Sequence, residues 1–449
     1  MKHVSLSDHF TYKKIFQIVI GPILRRIFSS FYSVVDGIFL SNYAGDSAFS
    51  GVNLIFPYIR ILGGVGFRLG TGGTALVTKT LGEKKKEEAS NIFSLVIYTT
   101  IVIGALFTLI GYFTVTPFSK RRASLSSSSS TGAREDSAIR YGKIRRLGIR
   151  LFRLQNVFQS FFSGAEKPFV GFLFIAGAGV TNIILDWFFI GVLDWKVEGA
   201  AIASLCGQVI GGALPILYFA LNKKLPFRLG RCHFELRPLL KVFGNGSSEF
   251  VSNIASSIVS TCYNRQLLRY IGPNGVSAYG VCRYINYLFR AIFIGYSVGI
   301  APVVGYNYGA KNTKELHNVL RKSLIIIGIT GIIRFVLGET LGPLFGSIFA
   351  NGDETLKALS SRALFIFSFI YLTAGFSIFG SSFFTGLNNG LISAIISMVR
   401  SLVLELATVW LLPLLLQSDG VWAAAPIAEI GSSVRVIYFF IYEKKKYQY

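Results

Sequence analysis

Residues 51–95 read GVNLIFPYIRILGGVGFRLGTGGTALVTKTLGEKKKEEASNIFSL, and residues 280–324 read GVCRYINYLFRAIFIGYSVGIAPVVGYNYGAKNTKELHNVLRKSL. Laid directly over one another, Gly51-Val52 falls on Gly280-Val281, Gly66 on Gly295 and Gly70 on Gly299. After a two-residue gap, Gly82 falls on Gly309, Glu88 on Glu315 and Asn91 on Asn318. Both copies lie in apolar stretches too long for a soluble core. A repeat of about half the chain, made of hydrophobic helices, is how many secondary transporters are built: two similar bundles enclose one site and rock about it.

Composition agrees. The hydrophobic fraction is 52%, the mean hydropathy +0.54, and only 15% of residues are charged. A spanning helix needs about 20 mostly apolar residues, and twelve such stretches follow one another along the chain. The fourth, about 138–163, is the weakest because it carries several arginines. The first fourteen residues are polar and the apolar run after them continues into a full span, so no cleavable signal is expected. The sequence therefore predicts an all-α polytopic membrane protein with twelve transmembrane helices in two pseudo-symmetric six-helix lobes. The expected lobes are 1–221 and 242–449. The basic connection 222–241, with Pro226 and Pro238, is expected to be the cytoplasmic linker between them.

Lysine and arginine in the connections set orientation. If both termini are cytoplasmic, the inner segments hold 21 basic residues, and the outer loops hold about six, four of them in 117–137. Both termini are thus expected inside. Basic loops also account for part of the +23 net charge without any nucleic-acid partner. The segment 119–137, with Ser126–Ser130, reads as a flexible outer loop. The four cysteines form no CxxC pair and no disulfide framework.

Ionisable groups deep in a bilayer are expensive and point to function by default. Three acids lie in otherwise apolar helices: Asp36 in the first, Asp186 in the fifth and Glu249 in the seventh. Asn182 lies four residues before Asp186 and shares its helical face, and the sixth helix offers Ser204. Two carboxylates, an amide and a hydroxyl can coordinate Na⁺ through oxygen alone, or share a proton, because neighbouring carboxylates cannot both ionise cheaply. The bland alternative is a hydrogen-bonded buried acid. Glu339, Glu405 and Glu429 have no evident partner. An enzyme is not expected, since all four histidines (His3, His9, His233, His317) fall in tails or loops and no phosphate loop or metal-ligand cluster is present. No cofactor is expected either.

These residues resemble the multidrug and toxic compound extrusion (MATE) family, and most of all its bacterial multidrug branch. Phe31–Phe39, with Asp36, looks like the family's first helix; Gly70-Thr71-Gly72-Gly73 with Leu81-Gly82 looks like the end of the second. Asn182-Ile183-Ile184-Leu185-Asp186 matches the fifth-helix Asn-x-x-x-Asp pattern, and Gly199–Ser204 the start of the sixth, with serine where many relatives carry threonine. Ala278-Tyr279-Gly280 and Pro302–Tyr308 resemble the two ends of the eighth. The resemblance implies a monomeric exporter of amphipathic, mostly cationic compounds from the bacterial cell, driven by inward Na⁺ or H⁺. Asp36, Asn182, Asp186 and Ser204 would form its cation site, Pro22 would bend the first helix, and Glu249 would be a candidate second acid. The tenth-helix aspartate found in part of the family is absent, since 376–386 holds no acid.

One feature conflicts with the bilayer. Arg25, Arg26, Arg60, Arg68, Arg145, Arg146, Arg150, Arg153, Arg283, Arg290 and Arg334 all fall inside expected spans. At roughly 3 kcal/mol each on insertion scales they would cost on the order of 30 kcal/mol together, more than the whole stability of a typical domain at about 5–15 kcal/mol. Meanwhile the chain has only 2 methionines beside 40 phenylalanines, and in relatives Arg25-Arg26 and Arg68 look like methionine positions. The codons AGG and AUG differ by one base. One reading is that some of these codons specify methionine in the source organism; the others are a cavity lined with arginine, which would suit an anionic lipid-linked or organic-acid substrate, and a decayed gene.

Overall fold

The computed structural model describes residues 4–124, 131–350 and 354–449, and all its regular elements are helices. The first half comprises α1 Tyr12–Phe39, α2 Asp46–Gly82, α3 Lys86–Ser124, α4 Thr131–Gly164, α5 Pro168–Asp186 and α6 Lys196–Gln208. Three of these run on into π-helical turns, Leu40–Ala44 after α1, Trp187–Val192 after α5 and Val209–Ala213 after α6, the last continuing as Leu214–Leu221. A short helix, Leu236–Asn245, leads into the second half. There α7 is Ser247–Tyr270, α8 Pro273–Gly309, α9 Thr313–Ala350, and α10 the pair Glu354–Ser368 and Ile370–Gly386, bent by 48°. Helix α11 runs from Gly390–Met398 through the π turn Val399–Leu404 to residue 416, and α12 covers 418–447.

Gln417, at φ 52° and ψ −126°, separates the last two. The chain doubles back there, since Thr408 Oγ1 donates to the Ala424 carbonyl at 2.9 Å, across a separation that a continuous helix would make about 24 Å. The expected twelve spans are therefore all present. Helices α4 and α7 are the least apolar of the spans and are sheltered by neighbours, α4 packing on α2 more extensively than any other pair of helices among the described residues. By contrast, α3 (Val102, Leu106, Leu109, Phe113), α9 (Ile329, Ile332, Ile333, Val336) and α12 (Ile430, Val434, Ile437, Ile441) expose apolar side chains. Only lipid solvates such stripes at low cost.

The sequence repeat is visible in the turns. Lys84 and Lys311 both adopt φ near +60° (65° and 55°) at the ends of α2 and α8. Behind them Lys85 N–H donates to Thr80 and Asn312 N–H to Asn307, at 3.1 and 2.9 Å. Glu166 and Asn388 do the same after α4 and α10, with Lys167 N–H on Phe162 and Asn389 N–H on Phe384, both at 2.9 Å. These are left-handed helix caps that return six-residue rings to the last turn. Gly82 and Gly309, matched in the repeat, face one another's helices: a methyl on Gly82 would collide with the Tyr306 carbonyl, and one on Gly309 with the Lys79 carbonyl. The halves therefore meet backbone to backbone where α2 and α8 end.

Two expectations need correction. The segment 119–137 is not simply a loop: α3 continues to Ser124 and α4 begins at Thr131, and 125–130 lies outside the described residues. The residues before α1 are not a free tail either. Val4, Leu6 and Phe10 are buried in the second-half core with Ile300, Val303 and Leu316. Leu6 N–H donates to Glu166 Oε1 at 2.6 Å, Phe10 N–H to Glu315 Oε1 at 2.8 Å and Asn307 Nδ2 to the Leu6 carbonyl at 3.4 Å. The segment straps together the turn after α4 and the start of α9. Above it, Thr71, Thr74, Ser160, Glu249, Ser297 and Ser381 line a cavity of ≈ 40 Å³, room for a few waters at about 10–15 Å³ each but not for a drug.

The arginines divide. Arg283 is exposed and donates to Ser260 Oγ at 2.7 Å, and Arg68 Nε donates to the Phe243 carbonyl at 2.8 Å. Arg25, Arg153 and Arg334 are 1%, 0% and 2% exposed. Arg25 and Arg153 reach one backbone carbonyl each, of Gln159 and Leu62, leaving Arg25 Nε and Arg153 Nη1 without partners. All three guanidinium nitrogens of Arg334 lack a partner, and its Cζ sits 3.6 Å from the centre of the Phe293 ring. The side chain of Arg60 lies outside the described residues.

Candidate functional site

Asp36 lies four residues before the π turn that ends α1, and Asp186 is the last residue of α5 before its own π turn. A π turn inserts one residue into the ladder and is frequent at functional sites, because it frees backbone groups and re-aims side chains. Here it turns both carboxyls toward the same interior. They come within hydrogen-bonding reach of one another, and among the described residues Asp36 Oδ1 and both Asp186 oxygens are enclosed without a donor. Asn182, one turn before Asp186, is 3% exposed, and its Nδ2 is likewise unpartnered. Gly207 of α6 permits this closeness, since its Cα faces the Ala178 carbonyl and a Cβ there would lie 2.8 Å from that oxygen.

Of the residues expected at a cation site, Asp36, Asn182 and Asp186 are brought together. Ser204 joins through Tyr141 of α4, whose hydroxyl pairs with the Ser204 side chain and which senses both acids. Glu249 is elsewhere, in the first turn of α7, where it lines the small cavity with Thr71, Ser160 and Ser297, because α7 starts at the opposite end of the bundle from the ends of α1 and α5. Pro22 is buried inside α1, where its missing N–H leaves a gap in the ladder, and its carbonyl would lie 2.9 Å from a Cβ on Gly295.

Sequence reasoning missed Tyr141, Gln208 and the π turns. Tyr141 stands in the arginine-rich stretch least like a span, and it is 2% exposed. With its amide oriented to suit its neighbours, Gln208 accepts from Arg145 Nη1 and Nη2 at 2.8 and 3.0 Å and donates to the Gly148 carbonyl at 3.1 Å. No periodic signal marks any of them. The reading of Glu339 and Glu429 as partnerless was wrong: Glu339 accepts from Ser368 Oγ, and Glu429 pairs with Arg400. Both contacts join separate helices, so spacing along one helix could not reveal them.

Three of the four carboxyl oxygens, and the amide nitrogen of Asn182 beside them, thus lack a partner among the described residues, an arrangement that needs explaining because enclosed polar groups are nearly always paired. The comparisons agree with a membrane transporter. The MatE family model matches residues 22–188 and 250–411. The chain is 24% identical over 347 residues to the multidrug export protein MepA of Staphylococcus haemolyticus, covering 76% of this chain and 75% of the relative. It is 23% identical over 361 residues to MepA of Staphylococcus aureus strain N315, covering 79% and 76%. Its fold superimposes with TM-score 0.90 on a MATE structure in complex with MaL6, at 21% identity and covering 100% and 99% of the two chains. The outward-facing conformation of a multidrug resistance MATE transporter gives TM-score 0.90, also at 21% identity and covering 100% and 99%. A Pyrococcus furiosus MOP superfamily transporter, described as having a binding pocket of reversed polarity, gives 0.89 at 21% identity, covering 100% and 98%. The protein belongs to the MatE family of multidrug and toxic compound extrusion transporters.

Proposed function

We propose that this protein exports amphipathic, mostly cationic compounds across the bacterial plasma membrane in exchange for Na⁺ or H⁺. The observation that carries the reading is the unpartnered pair Asp36–Asp186 with Asn182. A cation or shared proton satisfies it, and two bare carboxylates in low dielectric do not persist. The lobes are 1–221 and 242–449 joined by 222–241, with both termini cytoplasmic. The N-terminal strap and the Gly82–Gly309 contact close the cytoplasmic side, and Pro22 is where α1 bends when the site empties. The protein acts as a monomer on small molecules and needs no cofactor.

The test is Asp36→Asn and Asp186→Asn in vesicles carrying an imposed ion gradient. Both variants should insert and fold but lose gradient-driven export. Full transport by both would remove these residues from coupling. A second reading, export or flipping of an anionic substrate, draws on Arg145, which adjoins the acids and faces Gln208. Uptake of an anionic but not a cationic fluorescent dye into inverted vesicles would favour it.

A further inference from the structure

A second buried charged cluster sits in the other half of the molecule, away from Asp36 and Asp186. Arg400 Nη1 of α11 lies 3.4 Å from Glu429 Oε1 of α12, with side chains 9% and 7% exposed. Arg400 belongs to the π turn Val399–Leu404, and Glu405 follows it directly. Tyr263 of α7 is 1% exposed and stacks on Tyr279 of α8 at 4.9 Å. Its hydroxyl is within electrostatic reach of both Glu405 and Glu429. Neither that hydroxyl nor Glu429 Oε2 has a hydrogen-bond partner among the described residues. The other charged groups acting on the cluster are Arg290 from α8 and Glu249 from α7.

The arrangement echoes the first half. Three of the four π turns among the described residues flank the Asp36–Asp186 site, and the fourth carries Arg400. Gln208 stands nine residues after Gly199 near the start of α6 and faces Arg145; Glu429 stands nine residues after Gly420 near the start of α12 and faces Arg400. Where the first half has a neutral amide, the second has a carboxylate. Glu405 and Glu429 carry two negative charges against one on Arg400, and adding Glu249 and Arg290 leaves the same single excess.

We propose that this cluster is a second coupling site that binds one proton, taken up on a carboxylate of Glu405 or Glu429 beside the buried Arg400–Glu429 pair and beneath Tyr263. A proton from solution forms one O–H bond on a carboxylate and cancels the excess charge, with no further reactant. Na⁺ fits poorly, because it needs a shell of oxygens and here the acids and one hydroxyl stand beside a guanidinium. The role in coupling rests on the exporter reading above; the proton site itself does not.

The test uses the purified full-length protein in detergent, titrated in unbuffered solution from neutral to mildly acid pH, with vesicle transport measured in parallel. Glu405→Gln should take up about one proton fewer than the unsubstituted protein, and its protons moved per drug molecule should fall. Drug exchange without a gradient should persist. Glu429→Gln alone strands Arg400 and can fail to fold, so the double variant Arg400→Gln/Glu429→Gln, which removes both charges, is measured beside it. Unchanged proton uptake in both Glu405→Gln and the double variant overturns the proposal, whatever transport does. Normal proton uptake by Asp36→Asn, together with loss in Glu405→Gln, supports this proposal whichever ion the Asp36 site takes, and loss of gradient-driven export by Asp36→Asn is what tests that other reading.

Discussion

Arg334 offers a sharp test of whether this chain carries arginine inside the membrane at all. The residue is 2% exposed, none of its guanidinium nitrogens has an acceptor among the described residues, and its Cζ sits over the Phe293 ring, 3.6 Å from the centre. Burying an unpaired ion costs several kcal/mol even after relaxation, and insertion scales give roughly 3 kcal/mol for arginine at mid-span. A desolvated cation–π contact returns about 2 kcal/mol. Methionine fills a similar slot without charge, and a sulfur–aromatic contact with Phe293 adds about 0.3–1.5 kcal/mol. Arg334→Met should therefore stabilise the protein by roughly 1–3 kcal/mol on these figures. The assay is the apparent Tm and the monodisperse yield in detergent for Arg334→Met, with Arg334→Gln as the control that removes charge but keeps polarity. Peptide mass spectrometry of the protein from its native host then decides the residue directly. We expect methionine masses at one or more of Arg25, Arg26, Arg145, Arg146, Arg153 and Arg334. Arginine masses throughout, with no gain in Arg334→Met, would refute the reasoning, and a structural role for these guanidiniums would have to be found.

Gly82→Leu or Gly309→Leu should stop the C-terminal ends of α2 and α8 from meeting, lowering export at least about tenfold through a contact that only glycine permits. A cysteine placed at Thr74 should then become reactive from the cytoplasm, and unchanged reactivity with normal export would sink the idea. Glu315→Ala removes the acceptor for Phe10 N–H and for Asn318 Nδ2 and should cost about 1–3 kcal/mol; limited proteolysis near the N-terminus, faster than in the unsubstituted protein, is the readout. The native Cys232 should react with an impermeant thiol reagent only from inside the cell, and a cysteine replacing Asp194 only from outside. Labelling of both from one side would defeat the topology.

Much of the fold was legible because lipid imposes a simple rule: every span must be a long apolar helix with its backbone satisfied internally. Length and hydropathy thus gave the crossings, including weak ones such as α4, and the glycine pairs Gly82/Gly309 and Gly66/Gly295 gave the repeat. Asp36, Asn182 and Asp186 were legible because a carboxylate in an apolar run stands out, and four-residue spacing fixes a shared face. What the chain could not declare depends on contacts between helices. The π turns that aim Asp36 and Asp186 together are backbone events without a residue signature. Tyr141 reaches Ser204, and Arg400 reaches Glu429, only after α4 lies against α6 and α11 against α12. The first residues looked like a polar tail because their few apolar side chains, Val4, Leu6 and Phe10, are too sparse for any periodicity. The grooves they fill exist only once both halves have folded. Charge and hydropathy are properties of single positions and survive in the sequence, whereas partnership is a property of distance, which tertiary packing alone creates.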